Sequence, residues 1–372
     1  MRILGCLIGL FLWFGATSFF GIPFYWIDFL TLFLLLYLVF IKKDVKISRI
    51  IAYLSLMFVI SLIPYFYIEN LSFEGIKYFV FLIITVLVYD NLTLNLNSKD
   101  IVGFLVSILT SFVTLTSFSI VFIVIENRLF SIDNIYKYKN FFVLSFGSSN
   151  YIAAILTCIG VLSIGLYLSG DEFKSELLFL SIICFLLVII LNSRTSIICY
   201  ILGVLMNVVH TSISKNSSSK KVLFLLFIFI VAFIYVYLKT EFIELLLSRF
   251  TSENGNVSSR FSQFSQTYND IKQFSLFELF FGRGYGSEKL NSILLIHNFL
   301  IKLIYSFGFL GCTIYFALLK NLFSGTEASF RIVLLIVLLG SMFEPALLTA
   351  FFDTIFFVIF IAGKNLTNLN KS

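Results

Sequence analysis

The chain has 372 residues, of which 59% are hydrophobic and only 12% charged, with a formal net charge of +6. A soluble globular protein carries about 25% charged residues, so a soluble fold is excluded and a polytopic helical membrane protein is expected. Lysines and arginines flanking membrane spans account for the positive balance, and nucleic acid is not needed to explain it.

The five cysteines (Cys6, Cys158, Cys184, Cys199 and Cys312) fall inside apolar segments without C-x-x-C spacing. This pattern predicts neither a disulfide framework nor a thiol-ligated metal. Only Arg2 precedes the first apolar run, and no small-x-small cleavage site follows it. Residues 3–21 therefore read as a retained span rather than a signal peptide.

A span needs about 20 mostly apolar residues. That rule predicts twelve: 3–21, 24–41, 49–67, 74–90, 101–125, 149–168, 177–191, 195–212, 222–238, 292–319, 331–344 and 350–363. The expected fold is all-α: spans one to nine over 1–238, a large loop over 239–291, and spans ten to twelve with a tail over 292–372. Lys42, Lys43, Lys46 and Arg49 lie between spans two and three, Lys215, Lys220 and Lys221 between eight and nine, and Lys364 and Lys371 in the tail. With twelve spans these share one side, which the positive-inside rule makes cytoplasmic, with both termini. The segment Glu126–Ser148, with Arg128, Lys137 and Lys139, is a mild exception on the outer side.

The loop Lys239–Asn291 carries as many acidic as basic residues. Glu253-Asn254-Gly255-Asn256 reads as a turn, and Ser258 or Ser259 as the cap of a helix. Phe261, Phe264, Tyr268, Ile271, Phe274 and Phe277 then recur at helical spacing, which predicts an amphipathic helix in the membrane interface, ended by Gly282-Arg283-Gly284-Tyr285-Gly286. No fixed-period internal repeat is present.

Four features invite chemistry. His297 stands where the polar loop meets span ten. That span is predicted to be about 42 Å long, longer than a hydrocarbon core of about 30 Å. Its first turns should protrude and bring the imidazole to head-group depth, where it could act as a general base or simply as a hydrogen-bonded interface residue. Arg194 interrupts two apolar runs; it could snorkel, or hold a phosphate in its planar fork. Arg260 at the start of the loop helix suits an anion, with Arg249 and Arg283 as weaker candidates of the same kind. Glu344, before Pro345, could pair with one of the arginines. The glycine run follows a helix and lacks G-K-[ST], so it is not a nucleotide loop. His210 lies beside the cytoplasmic lysines.

Three pieces stand in order: Ser193-Arg194-Thr195 opening a span, Ser259-Arg260 opening the loop helix, and Gly282-x-Gly284-x-Gly286 followed by His297-Asn298-x-Leu300-x-x-Leu303 and Gly308-x-x-Gly311. Together they resemble the O-antigen polymerase (Wzy) and O-antigen ligase family of polytopic membrane glycosyltransferases, over about 190–311. The resemblance departs from the family in having Ser-Ser-Arg where Ser-Gly-Arg is common. It implies an outward-facing site in the bacterial inner membrane, with undecaprenyl-diphosphate-linked oligosaccharides as donor and acceptor and with no cofactor, metal or nucleotide sugar. Arg194 and Arg260 would hold the diphosphate, with Arg249 as fallback, and His297 would activate the acceptor hydroxyl. Asn298, Gly284 and Gly286 would support it. Membrane lipids and a chain-length regulator are the implied partners. A polymerase is expected, a ligase acting on lipid A core is the near alternative, and a lipid-linked oligosaccharide flippase is the alternative of another class.

Overall fold

A computed structural model describes residues 1–14, 16–19, 22–42, 45–69, 71–129, 141–142, 144, 148–170, 172–191, 193–213, 265–287, 296, 298–343 and 346–369. In chain order the elements are α1 (Arg2–Trp13), β1 (Ala16–Phe19), β2 (Ile22–Tyr25), α2 (Trp26–Tyr37), α3 (Arg49–Leu62), α4 (Glu74–Thr93), α5 (Ser98–Glu126), α6 (Ser149–Ser169), α7 (Lys174–Ile190) and α8 (Arg194–Ile213). There follow α9 (265–272), α10 (Leu276–Phe281), α11 (Phe299–Ser324), α12 (Ala328–Ser341) and α13 (Ala350–Leu369). A π-helical turn, Leu38–Lys42, extends α2, and a 3-10 turn, Ile63–Phe66, extends α3.

Every expected span except 222–238, which lies outside the described residues, contains a helix. Among the described residues, seven helical segments are long and apolar enough to cross a membrane: Arg49–Phe66, α4, α5, α6, α8, α11 and α13. In lipid every backbone N–H and C=O must be paired within the protein, and an apolar helix does this segment by segment. The chain is thus a membrane-embedded helical protein.

Three expectations change. The first span is not helical over 3–21: α1 stops at Trp13, and an antiparallel hairpin pairs Ala16 with Tyr25 and Phe19 with Ile22. Small and β-branched residues and Pro23, which has no N–H to donate, make this stretch a poor helix. In the tenth span α11 begins only at Phe299, seven residues after the expected start, and residues 292–295 lie outside the described residues. Asn298 is the N-cap of α11, its Oδ1 accepting from Leu300 and Ile301 N–H at 3.0 and 3.2 Å. The loop helix is not continuous either. It breaks at 273–275, where the Ser275 hydroxyl accepts from Glu278 N–H while the Glu278 carboxylate accepts from Ser275 N–H. This reciprocal cap starts α10, whose Leu276, Phe277 and Phe280 are exposed. The expected helix start at Ser258 or Ser259 lies outside the described residues.

Small residues permit close helix approach. A Cβ on Gly5 would lie 2.7 Å from the Phe104 carbonyl oxygen, and one on Gly9 would lie 2.6 Å from that of Ile108, so α1 lies directly on the α5 backbone. At one end of the bundle Asn365 Nδ2 donates to Asp90 Oδ1 and Thr93 Oγ1 at 3.1 and 2.8 Å, tying α13 to α4. Lys46 N–H donates to Asn91 at the same end. At the other end Tyr78 of α4 donates to Asp353 of α13. The two helices therefore run parallel, and the candidate site gathers at this second end.

Candidate functional site

The glycine segment and α11 are built into each other. Gly308 interrupts α11 with φ 61° and ψ −169°, and Gly282 has φ 75° and ψ −176°, a region essentially open only to glycine. An unbroken helix would use the carbonyls of Tyr305 and Ser306 four residues on; the break releases them. Arg283 N–H now donates to Tyr305 O at 2.8 Å and Gly284 N–H to Ser306 O at 2.9 Å. Space allows nothing larger. A Cβ on Gly282 would sit 2.4 Å from the Ser306 carbonyl, and one on Gly308 would sit 2.4 Å from that of Phe280. Tyr67 O–H donates to the Gly282 carbonyl. The glycines do not merely let a helix turn into span ten: they supply the backbone donors that make its break tolerable.

Beneath this segment is a buried polar ring that the sequence reading did not single out. Lys302 and Asp353 are 7% and 0% exposed. Lys302 Nζ donates to Leu348 O at 2.8 Å, and Asp353 Oδ2 accepts from Leu348 N–H at 3.1 Å. The two peptide groups that flank the Leu348 Cα thus meet opposite charges, the N–H the carboxylate and the carbonyl the ammonium, and Leu348 itself has φ 61°. Tyr285 O–H also donates to Leu348 O at 3.0 Å. The Tyr285 ring stacks on Tyr78 at 4.9 Å, and Tyr78 O–H closes the ring on Asp353 Oδ2. Lys302 Nζ lies 5.4 Å from the Tyr285 ring centre. Asp353 Oδ1 and Tyr315 Oη have no hydrogen-bond partner among the described residues. The available signal was a lone lysine and a lone aspartate, each inside an apolar run; ionisable residues there are costly and mark function by default.

Arg283 faces the other way. Its Nε donates to Glu278 at 2.8 Å and its NH1 to Asp270 at 2.9 Å, and its guanidinium lies 4.4 Å from the Phe274 ring centre. Tyr305 O–H donates to Asp270 at 2.7 Å. Burial alone would raise the Glu278 carboxyl, but the Ser275 N–H, Arg283 and the Ser275 hydroxyl together outweigh it and hold it below the usual value. Burial, and then the Glu278 charge, push the Tyr67 phenol up to about 12 against the pull of Arg283. The Arg283 guanidinium is thus engaged by two carboxylates.

Arg194 is the first residue of α8 and half-buried. The neighbouring Thr195 and Ser196 line a cavity of about 20 Å³ with Gly340, Ser341, Ala346 and Thr157, room for one water. Asn298 Nδ2 donates to Met342 O at 3.1 Å. The start of α8 and the start of α11 therefore both meet the C-terminal end of α12. Gly284 and Gly286 lie at this same end: Cβ atoms there would approach Leu71 at 2.6 Å and Ser72 Oγ at 3.3 Å. His297, Arg260, Arg249 and Glu344 lie outside the described residues. Among the described residues no group of three or more His, Cys, Asp or Glu is arranged to hold a metal.

No family model, curated protein or solved structure matches this chain.

Proposed function

We propose that this chain is a membrane glycosyltransferase, a polysaccharide polymerase that moves a growing glycan from undecaprenyl diphosphate to the non-reducing end of a lipid-linked repeat unit. The observation that carries the reading is the interlock of Gly282–Gly284 with the break in α11. The sequence pattern that resembles the O-antigen polymerase family coincides with a specific backbone device, at the bundle end where α8 with its Arg194 also begins. A packing role alone would not require two glycine-only conformations facing each other.

The chemistry is economical. A lipid diphosphate is already a good leaving group, so the protein must stabilise growing negative charge and remove one proton from the acceptor. Arg194 and Arg260 serve the first need, with Arg249 as fallback and Arg283 already committed to Asp270 and Glu278. His297 serves the second. Asn298 caps the start of α11, next in sequence to that histidine, and Glu344 is the supporting carboxylate. Lys46, Arg49, Lys99, Arg331 and Lys364 flank the opposite end of the bundle, which supports a cytoplasmic assignment for that end and an outward-facing site. The bacterial inner membrane and a chain-length regulator as partner belong to the same proposal. A ligase acting on lipid A core would use the same groups with another acceptor.

One observation favours a second reading. A discontinuous span with a buried Lys302–Asp353 pair is also how transporters build a substrate or ion site, as in a lipid-linked oligosaccharide flippase. The test is reconstitution of the purified full-length chain in vesicles with a lipid-diphosphate-linked repeat unit. The polymerase reading expects a ladder of lipid-linked polymers, lost in His297→Ala, Arg194→Ala and Arg260→Ala. Ladders that persist in all three variants reject the site assignment. Movement of the repeat unit across the bilayer without elongation would replace the polymerase with the flippase.

A further inference from the structure

We infer that Lys302 and Asp353 are a charge-balanced positioning pair, whose grip on the backbone carbonyl and N–H of Leu348 seats Tyr285 and with it the Gly282–Gly286 segment. For its catalytic consequence the inference rests on the glycosyltransferase reading. Neither residue belongs to the candidates that the sequence pattern supplies.

The reasoning runs from burial to geometry. Both groups are almost wholly removed from solvent, and a buried ion without a counter-charge is strongly destabilising. The two interact electrostatically, and both make a hydrogen bond to Leu348: the ammonium to the carbonyl, the carboxylate to the N–H. Leu348 is held at φ 61°, a conformation that a leucine keeps only when its surroundings over-determine it. The same carbonyl receives Tyr285 O–H, and Tyr285 lies inside the glycine segment. The ring of Tyr285 is fixed from its other face by Tyr78, whose own hydroxyl is on Asp353. Charge balance across the backbone of one residue is thereby converted into the position of the Gly282–Gly286 segment. Removing one charge leaves the other buried and uncompensated. Removing both, as Lys302→Met with Asp353→Asn, keeps acceptors for Leu348 N–H and Tyr78 O–H and leaves the Tyr285 bond intact.

The experiment uses the full-length chain in membranes and reports seating independently of activity. Ser287 follows the glycine segment and is 2% exposed. A Ser287→Cys reporter is labelled with a membrane-impermeant maleimide in the parent, in Lys302→Met, in Asp353→Asn and in the double variant. Each single variant is expected to label at least about ten times faster, or to accumulate at least about ten times less. The double variant is expected to return to within about two-fold of the parent, and polymerisation to follow the same order. Single variants that label and accumulate like the parent overturn the inference. So does a double variant no better than the worse single variant, which is also the result expected if Asp353 acts chemically. Labelling that follows the expected pattern while polymer length ignores every variant leaves the positioning pair standing and overturns its catalytic consequence; labelling that follows the pattern while no variant, nor the parent, elongates the repeat unit sinks the glycosyltransferase reading instead.

Discussion

The interlocked glycines make the sharpest quantitative test. In Gly308→Ala the new methyl meets the Phe280 carbonyl carbon and oxygen at 2.4 Å and the Phe281 nitrogen at 2.6 Å, and in Gly282→Ala it meets the Ser306 carbonyl at 2.4 Å. These are backbone atoms, which cannot swing aside as a side-chain end can. A non-glycine residue in this region of φ and ψ costs about 1–3 kcal/mol. Separation of the two segments also unmakes the Arg283–Tyr305 and Gly284–Ser306 hydrogen bonds, each about 1–3 kcal/mol when buried groups are left unpaired. With both bonds lost, a destabilisation of about 3–9 kcal/mol is therefore expected for either variant. Gly340→Ala is the control: it lies inside α12, its nearest neighbour is Cys199 Sγ at 3.5 Å, and alanine is the better helix former by up to about 1 kcal/mol. The assay is thermal unfolding of the detergent-purified full chain. Gly308→Ala and Gly282→Ala should unfold roughly 4 °C or more below the parent, and Gly340→Ala at or above it. If either substitution at the crossing leaves the midpoint within about 1 °C of the parent, the interlock does not exist.

Three further outcomes follow from the same end of the bundle. Asn298→Ala should destabilise by about 1–2 kcal/mol, the value of an N-cap; Asn298→Asp should recover the cap but lose the donation to Met342 O, and amide exchange at the end of α12 separates the two effects. Arg283→Met leaves Asp270 and Glu278 facing each other, and should lower the thermal midpoint measurably at low ionic strength and less in 1 M salt. Glu278 has its folded value depressed, so its stabilising contribution is present above its unfolded value near about 4.3 and is lost as pH falls through the lower folded value. An acid titration should therefore show a drop in stability confined below about pH 4.5 that is missing in Glu278→Gln.

Hydropathy located the helices well because a membrane span is a statement about one averaged property over about 20 residues. It failed in 3–21, where strand and helix are equally apolar and only Thr17 and Pro23 hint at the difference. It also overran the start of α11, since Asn298 signals a cap locally while the residues before it remain apolar. The reciprocal Ser275–Glu278 cap is a plain S-x-x-E signature, masked by the regular aromatic spacing on either side of it. The site was legible in part. The glycines, Asn298 and Arg194 were singled out, and they gather at one end of the bundle. Lys302 and Asp353 were passed over because each is a single charge in an otherwise ordinary span, and nothing in one dimension says that 51 residues apart they meet on the backbone of Leu348. Arg283 read as a free cation because Asp270 and Glu278 approach it only after the loop helix breaks at Ser275.

The seating of Gly5 and Gly9 on the backbone of α5 bears on how the chain is made. Helix α1 finds its groove only after the Phe104 to Ile108 stretch has been synthesised, about 95 residues after Gly9. At about 5–20 residues per second that is a wait of roughly 5–20 s. During this interval the 12-residue helix can pack on α2 but not on α5, so the closest backbone contact of α1 is made later than its contact with its sequence neighbour.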